Sequence, residues 1–295
     1  MEKKLPKLKR LCAVNDISGF GKCSLTVALP VVSATGVECA CIPTALLSTH
    51  TGEFTGWTRC DLTDQMLPIA RHWARLGIDF DGIYSGYLAS PEQALAVEEL
   101  IGTIAGPETL VIVDPAMADN GEFYAGFDES MAEAFRRLCA RADIITPNVT
   151  EAAMLAGLDY EPPPHSLDYI KRLFCGLEDR ARQYVAITGV HPADGVIATY
   201  LRDCSTGETT GSLSEALPGM FYGAGDILSS ALAALLVRGA HISEALDAAS
   251  SLVRESIRRT YRRGTPRPYG LDFEGALPEY MHRVEHIFIR EEPGL

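Results

Sequence analysis

The residues Gly223-Ala224-Gly225-Asp226 stand directly before the apolar run 227–237. Two glycines at this spacing permit a tight turn and a close approach of backbone to ligand. The N–H groups that open the following helix then point at an incoming anion, reinforced by the helix dipole. Such a turn could hold a phosphoryl group in flight. Asp226 has two readings. It caps the helix, or its carboxylate takes the proton of a substrate hydroxyl as the phosphoryl arrives.

A second candidate is Asp114-Pro115-Ala116-Met117-Ala118-Asp119, which follows the apolar run 110–113. Two carboxylates on a strand-end loop suit Mg²⁺, which takes oxygen ligands and keeps several waters. Asp and Pro are also ordinary turn residues. A third is Thr146-Pro147-Asn148-Val149-Thr150-Glu151. Here Pro147 fits a helix start, Asn148 a cap and Glu151 the far side of a capping box. The other reading turns Asn148 and Glu151 toward nucleotide phosphates, with Mg²⁺ held through water. Two motifs fail. Gly19-Phe20-Gly21-Lys22-Cys23-Ser24 has Cys where a P-loop needs Ser or Thr after the Lys, and the first glycine is missing. It also lacks the third glycine of a dinucleotide fingerprint. The seven histidines show no metal-ligand spacing, and no Gly-x-Ser-x-Gly elbow is present.

Short apolar runs alternate with longer amphipathic ones. Residues 11–14, 37–42, 82–84, 110–113, 143–145 and 184–187 read as strands, the last ended by Thr188-Gly189. Residues 22–34, 63–76, 91–104 and 129–140 read as helices, as do 226–238 and 243–261. Segments 196–202 and 208–213 around Ser205-Thr206-Gly207 read as an antiparallel hairpin. Continuous apolar strands alternating with helices predict an α/β fold with a mainly parallel sheet covered on both faces. Polar residues gather where strands end: Asn15-Asp16, Thr49-His50-Thr51, Asp114, Thr146-Pro147-Asn148 and Thr188-Gly189. Ligands of open parallel sheets bind at those ends. Residues 1–10 are expected to be a flexible arm and 262–295 an irregular tail around a single domain.

The chain has 295 residues, 47% hydrophobic and 22% charged, which is the composition of a soluble globular protein. Its net charge of -13 disfavours nucleic acid as a partner. Local N–H groups can still bind small anions against that field. The apolar run 11–14 is too short for a signal peptide, and 227–237 is shorter than the ~20 residues of a membrane span. The expectation is a cytoplasmic protein with no membrane partner. Eight scattered cysteines without a Cys-x-x-Cys agree with it.

Five segments taken in register resemble the ribokinase-like superfamily, and within it the pyridoxal (vitamin B6) kinases. They are Ser48-Thr49-His50-Thr51-Gly52, Ser85-Gly86-Tyr87, Asp114-Pro115-x-Met117-x-Asp119, Thr146-Pro147-Asn148-x-x-Glu151 and Gly223-x-Gly225-Asp226. The resemblance runs from about residue 11 to 260 and implies an ATP-dependent phosphotransferase acting on an alcohol group. By resemblance, Asp226 is the general base, and the N–H groups of Gly223, Ala224 and Gly225 form the anion hole. Asp119, Thr146 and Glu151 then surround the Mg²⁺ of Mg-ATP. Asp114, Asn148, Thr188 and Gly189 lie by the nucleotide, Thr188 also near a K⁺-type ion. Asp16, Thr51 and Tyr87 line the substrate pocket. The resemblance also implies a homodimer.

Three positions depart from the pattern: Asp16 replaces a frequent Ser, Thr49 a usual Asn, and Gly189 a residue that often helps bind ATP. Hydroxymethylpyrimidine kinases share the fold, and many carry Cys where Asp226 stands here. Asn15-Asp16-Ile17-Ser18-Gly19 resembles their Ser-Asp-x-Ser-Gly. That activity, and a non-catalytic vitamer-binding protein on the same scaffold, are the alternatives.

Overall fold

The computed structural model describes residues 7–289. The strands, in chain order, are β1 (Arg10–Ser18), β2 (Glu38–Leu47), β3 (Arg59–Asp61), β4 (Phe80–Ser85), β5 (Ala105–Val113), β6 (Ala118–Asp119), β7 (Glu122–Phe123), β8 (Ile144–Ile145), β9 (Tyr184–Ala193), β10 (Val196–Asp203) and β11 (Thr209–Glu215). The α-helices are α1 (Leu25–Ala34), α2 (Thr63–Arg75), α3 (Pro91–Ile104), α4 (Glu129–Cys139), α5 (Val149–Ala156), α6 (Leu167–Leu177), α7 (Ala224–Arg238), α8 (Ile242–Arg263) and α9 (Leu277–Ile289). None is long and apolar enough to cross a membrane.

Nine strands form one sheet in the order β11-β10-β9-β8-β5-β4-β1-β2-β3. The six from β2 to β9 pair in parallel. β3 pairs antiparallel at one edge, and the β10–β11 hairpin at the other. From β1 the chain first moves outward to β2 and then returns to β4 on the other side. That reversal opens a crevice at the carboxyl ends of β1 and β4, where an α/β sheet takes its ligand.

Strand alternation supplies both faces. Leu11 and Ala13 pack with Tyr84, Ile112 and Ile144 under α1 and α7. Cys12 and Val14 face the opposite way with Ile83, Val111 and Val113, under the layer of α2 to α6. α7 lies close on the centre of the sheet: a Cβ at Gly82 would sit 2.3 Å from Val237 Cγ2. α8 and α9 form a further layer behind α1 and α7.

The sequence reading differs from the structure at β9, in the C-terminal tail and at the start of the chain, and it did not contain β3, β6, β7 or α6. β9 does not end at Thr188-Gly189 but continues to Ala193 as a partner of β10. Gly189, with φ +66, makes a bulge there instead of a stop. Ala198 pairs with Val190 and Tyr200 with Ile187, so two residues of β9 oppose one of β10. The irregular tail is in part helical. α9 buries Tyr280 and Val284, and the Tyr280 hydroxyl bonds Thr35 Oγ1 at 2.8 Å. Its apolar spacing was hidden by the Pro- and Gly-bearing residues before it. At the other end Arg10 already belongs to β1, and Lys7 and Lys9 pair with Asp79 and Asp81. Residues 1–6 and 290–295 of the expected arm and tail lie outside the described residues.

Candidate active site

Gly223 is the N-cap of α7 in the left-handed region, φ +83. A Cβ there would lie 2.2 Å from the Lys22 carbonyl oxygen, so the turn rests directly on the loop between β1 and α1. The first N–H groups of a helix have no partner within it. Those of Gly225 and Asp226 thus have no partner within α7, while Ala224 N–H makes a long bond to Phe221 O (3.4 Å).

Asp226 lies in the first turn of α7. Burial pushes its carboxyl up to about 6, and the Asp16 charge adds to the rise. The Ser24 backbone N–H and the Asn15 amide oppose it by favouring the ionised form. Ser24 reaches that position with φ +55, in the left-handed region that favours glycine. Strain of this kind costs about 1–3 kcal/mol and persists where the surroundings over-determine the backbone. The Ser24 and Ser18 hydroxyls both serve the Asp16 carboxylate, against the burial that raises its pKa. Ser18 Oγ donates to Asp16 Oδ2 at 2.9 Å.

Asp114 follows β5 and lies against the same turn, its Oδ2 3.7 Å from where a Cβ on Gly225 would stand. Burial first, then Asp226, raises its carboxyl to about 7. Ser229, one turn along α7 from Asp226, donates to Asp114 Oδ2 at 3.1 Å. Thr146 Oγ1 lies 2.8 Å from Ser229 Oγ. A hydroxyl has one proton, so Thr146 is the donor in that second bond. Thr146 is thereby turned toward α7 and does not point out of the fold.

The Thr146–Glu151 segment forms the capping box: Glu151 N–H donates to Asn148 Oδ1 (3.0 Å) and Asn148 N–H to Glu151 Oε2 (2.8 Å). Glu151 Oε1 also accepts the Met117 N–H at 3.1 Å, and Asn148 Nδ2 donates to Ala118 O at 2.8 Å. The box therefore clamps the strand that carries Asp119. Both ends of the Asn148 amide are occupied inside the protein. Asp119 itself is exposed; one oxygen accepts the Asn120 N–H and partial burial raises its pKa. Burial and Asp114 push Glu151 well above the usual carboxylate range. Among the described residues, no three His, Cys, Asp or Glu side chains converge as a self-sufficient metal centre. This donor set suits Mg²⁺ arriving with phosphates and water, and does not resemble a protein cage.

Across the crevice stand Asp16, buried, and Tyr87, half-buried and stacked on Phe127 (5.7 Å between centroids). Burial, aided by Asp16, pushes Tyr87 up to about 12. Thr51 is exposed on the adjoining loop, which His50 anchors. His50 Nδ1 accepts the Gly52 N–H (3.1 Å), so Nε2 carries the proton and donates to Pro268 O (2.7 Å). Glu53 pairs with Arg267 and accepts from Tyr222 Oη, closing the same contact.

On the opposite side of the glycine turn is a cavity of about 190 Å³. Its lining includes Thr188, Gly189 and Gly225 by the turn, the apolar Leu217, Val253 and Ile257, and the charged Arg254 and Arg258. Polar, cationic and apolar side chains in one cavity beside the turn suit phosphates joined to a flat base. A larger cavity of about 450 Å³ lies behind the β1–α1 loop, between Phe20, Lys22, Arg263 and Tyr269. None of the candidate carboxylates Asp16, Asp114, Asp119, Glu151 and Asp226 lines it. Lys22, of the failed P-loop motif, pairs there with Glu274 at 2.6 Å.

Sequence reasoning assigned no role to Asn15, Ser24 or Ser229. Ser229 had a signal, since it follows Asp226 by three residues on one helix face. Ser24 precedes an apolar helix as a cap would, but its backbone donor role depends on the distant α7.

A doubly covered parallel sheet with a glycine turn and a carboxylate at its crevice defines the ribokinase-like small-molecule kinases. The sequence matches the phosphomethylpyrimidine kinase family over residues 27–268, most of its length, and the chain belongs to that family. Among solved structures, it is similar to a Bacteroides thetaiotaomicron protein described as a phosphomethylpyrimidine kinase, in a crystal form with pyridoxal. The identity is 34% and the TM-score 0.86, covering 95% of this chain and 96% of the other. Pyridoxal kinase from Lactobacillus plantarum shares 30% identity at a TM-score of 0.84, covering 95% and 99%. Pyridoxal kinase PdxY of Vibrio campbellii is 25% identical, covering 96% and 98%. The protein is a phosphotransferase acting on an alcohol group.

The capping box makes a direct prediction. Glu151→Ala leaves the Met117 and Asn148 N–H groups without their acceptor and lowers unfolding free energy in urea by about 1–3 kcal/mol. Glu151→Gln, which keeps a carbonyl oxygen, loses less. Equal stability of Glu151→Ala and wild type contradicts the clamp.

Proposed function

We propose that the protein transfers the γ-phosphoryl group of ATP to the 5′-hydroxymethyl group of pyridoxal, pyridoxamine or pyridoxine. The observation that carries this reading is the Asp226 carboxyl, raised to about 6 beside the N–H groups of the glycine turn. At neutral pH it is ionised yet more basic than a free carboxylate, as a general base requires. The substrate O–H bond breaks toward Asp226 while its oxygen forms the bond to phosphorus and ADP leaves. Charge on the phosphoryl oxygens meets the N–H groups at the start of α7. The nucleotide lies along the cavity from Gly225 and Thr188 to Val253 and Ile257. Asp16 receives a ring N–H or hydroxyl, and Tyr87 lies against the ring.

Mg²⁺ bound with the nucleotide would offset phosphate charge, and Asp119, with Glu151 through water, would hold it. A K⁺-type ion beside Thr188 belongs to the same reading. The pyridoxal in the crystal of the Bacteroides relative supports the substrate class. The family's own name favours hydroxymethylpyrimidine as the second candidate. A binder without turnover is the third; the intact Asp226 and its surroundings favour catalysis.

ATP consumption measured across pyridoxal, pyridoxamine, pyridoxine and hydroxymethylpyrimidine separates these readings. Turnover with the three vitamers above hydroxymethylpyrimidine is expected, as is a fall of about 10²–10⁴ in kcat for Asp226→Asn. Near wild-type turnover by that variant removes Asp226 as the base, and vitamer binding without ATP turnover establishes the binder.

The enzyme is further proposed to be a homodimer, supported by Leu46 and Trp57 exposed beside edge strand β3. Light scattering at micromolar concentration is expected to give twice the chain mass of 31.9 kDa. A monomer mass contradicts it.

A further inference from the structure

Asn15 lies at the carboxyl end of β1, fully buried, at the point where the strand order reverses. Its Oδ1 accepts the Asp16 N–H at 3.1 Å. That bond settles the two ends of the amide, because the other end must then be the donor. Nδ2 faces Gly86, where a Cβ would approach it to 2.3 Å. Glycine at 86 is what makes room for the amide. No group of the protein accepts from Nδ2 at hydrogen-bond distance. The Asp226 carboxyl is nevertheless near enough for Asn15 to favour its ionised form. A buried donor without a partner is costly and calls for an explanation. Here it is held beside the proposed base, at the end of β1 where the strand order reverses.

We infer that Asn15 is a further substrate-contacting residue: its Nδ2 donates to the oxygen of the acceptor hydroxyl and holds that oxygen against the Asp226 carboxylate. This rests on the proposed phosphorylation of a hydroxymethyl group. The hydroxyl oxygen has one proton and two lone pairs. The proton goes to Asp226, one lone pair forms the bond to phosphorus, and the other accepts from Asn15. Asn15 exchanges no proton, so an amide suits the position: it orients the oxygen without competing for the base.

The test compares binding, by calorimetry without ATP, of pyridoxine and of 5′-deoxypyridoxine, which lacks the acceptor hydroxyl. Wild type is expected to prefer pyridoxine by about tenfold, the scale of one well-placed hydrogen bond. Asn15→Ala is expected to bring the two affinities within about twofold. Gly86→Ala keeps Asn15 but displaces its amide, and is expected to do the same. A purely structural Asn15 would weaken both ligands alike and leave their ratio unchanged. An unchanged ratio in either folded variant overturns the inference while the substrate reading stands. Failure of wild type to bind both ligands overturns the substrate reading, and the role of Asn15 with it.

Discussion

The site depends on one backbone contact, that between the glycine turn and the β1–α1 loop. Gly223 sits so close to the Lys22 carbonyl that a single methyl group at 223 could not be accommodated. This contact sets the start of α7 against the start of α1. It brings Asp226 under the Ser24 N–H and beside Asn15, and it carries Ser229 to Asp114 and Thr146. The loop is supported from behind as well: Lys22 bridges to Gly270, and Lys22 N–H donates to Tyr269 O at 3.2 Å. The strained Ser24 backbone is held between these two supports.

The same contact explains the electrostatics. Asp16, Asp114 and Asp226 crowd one crevice; burial raises all three, and a neighbouring carboxylate adds to the rise at Asp114 and Asp226. What keeps Asp226 chargeable at neutral pH is the Ser24 N–H at the beginning of α1, the nearness of the Asn15 amide and the dipole of α7. Hydroxyls of Ser18, Ser24 and Ser229 do the same for Asp16 and Asp114. A crevice with this charge favours cations and cationic rings, while the N–H groups of the turn give a local place for phosphate. The Glu151 box sets the nearby Asp119 strand.

Local features were legible in the sequence, and long-range ones were not. The glycine turn, the Asn148–Glu151 box and the alternation of buried strands are written over a few consecutive residues, so spacing alone showed them. The box also reaches Met117, whose N–H Glu151 accepts from 34 residues away, which spacing does not encode. Thr188 and Gly189 were read as a strand end. Their bulge appears only when β10 is paired with β9. Asn15 looked like one more polar strand end, and its meaning required Gly86 and Asp226 from two other segments. α9 was missed because its apolar face is matched to Thr35 and to α8 and not to anything near it in sequence.

The most direct measurement is the pH dependence of kcat/KM with pyridoxine at saturating Mg-ATP. Asp226 acts as base only when ionised. Below its pKa the active fraction falls tenfold per pH unit, and above it the rate is level until another group titrates. A single acid limb with an apparent pKa near 6 is predicted from the carboxyl raised to about 6. A kcat/KM that stays level down to pH values near that of a free carboxylate, about 4, would contradict a buried base at the glycine turn.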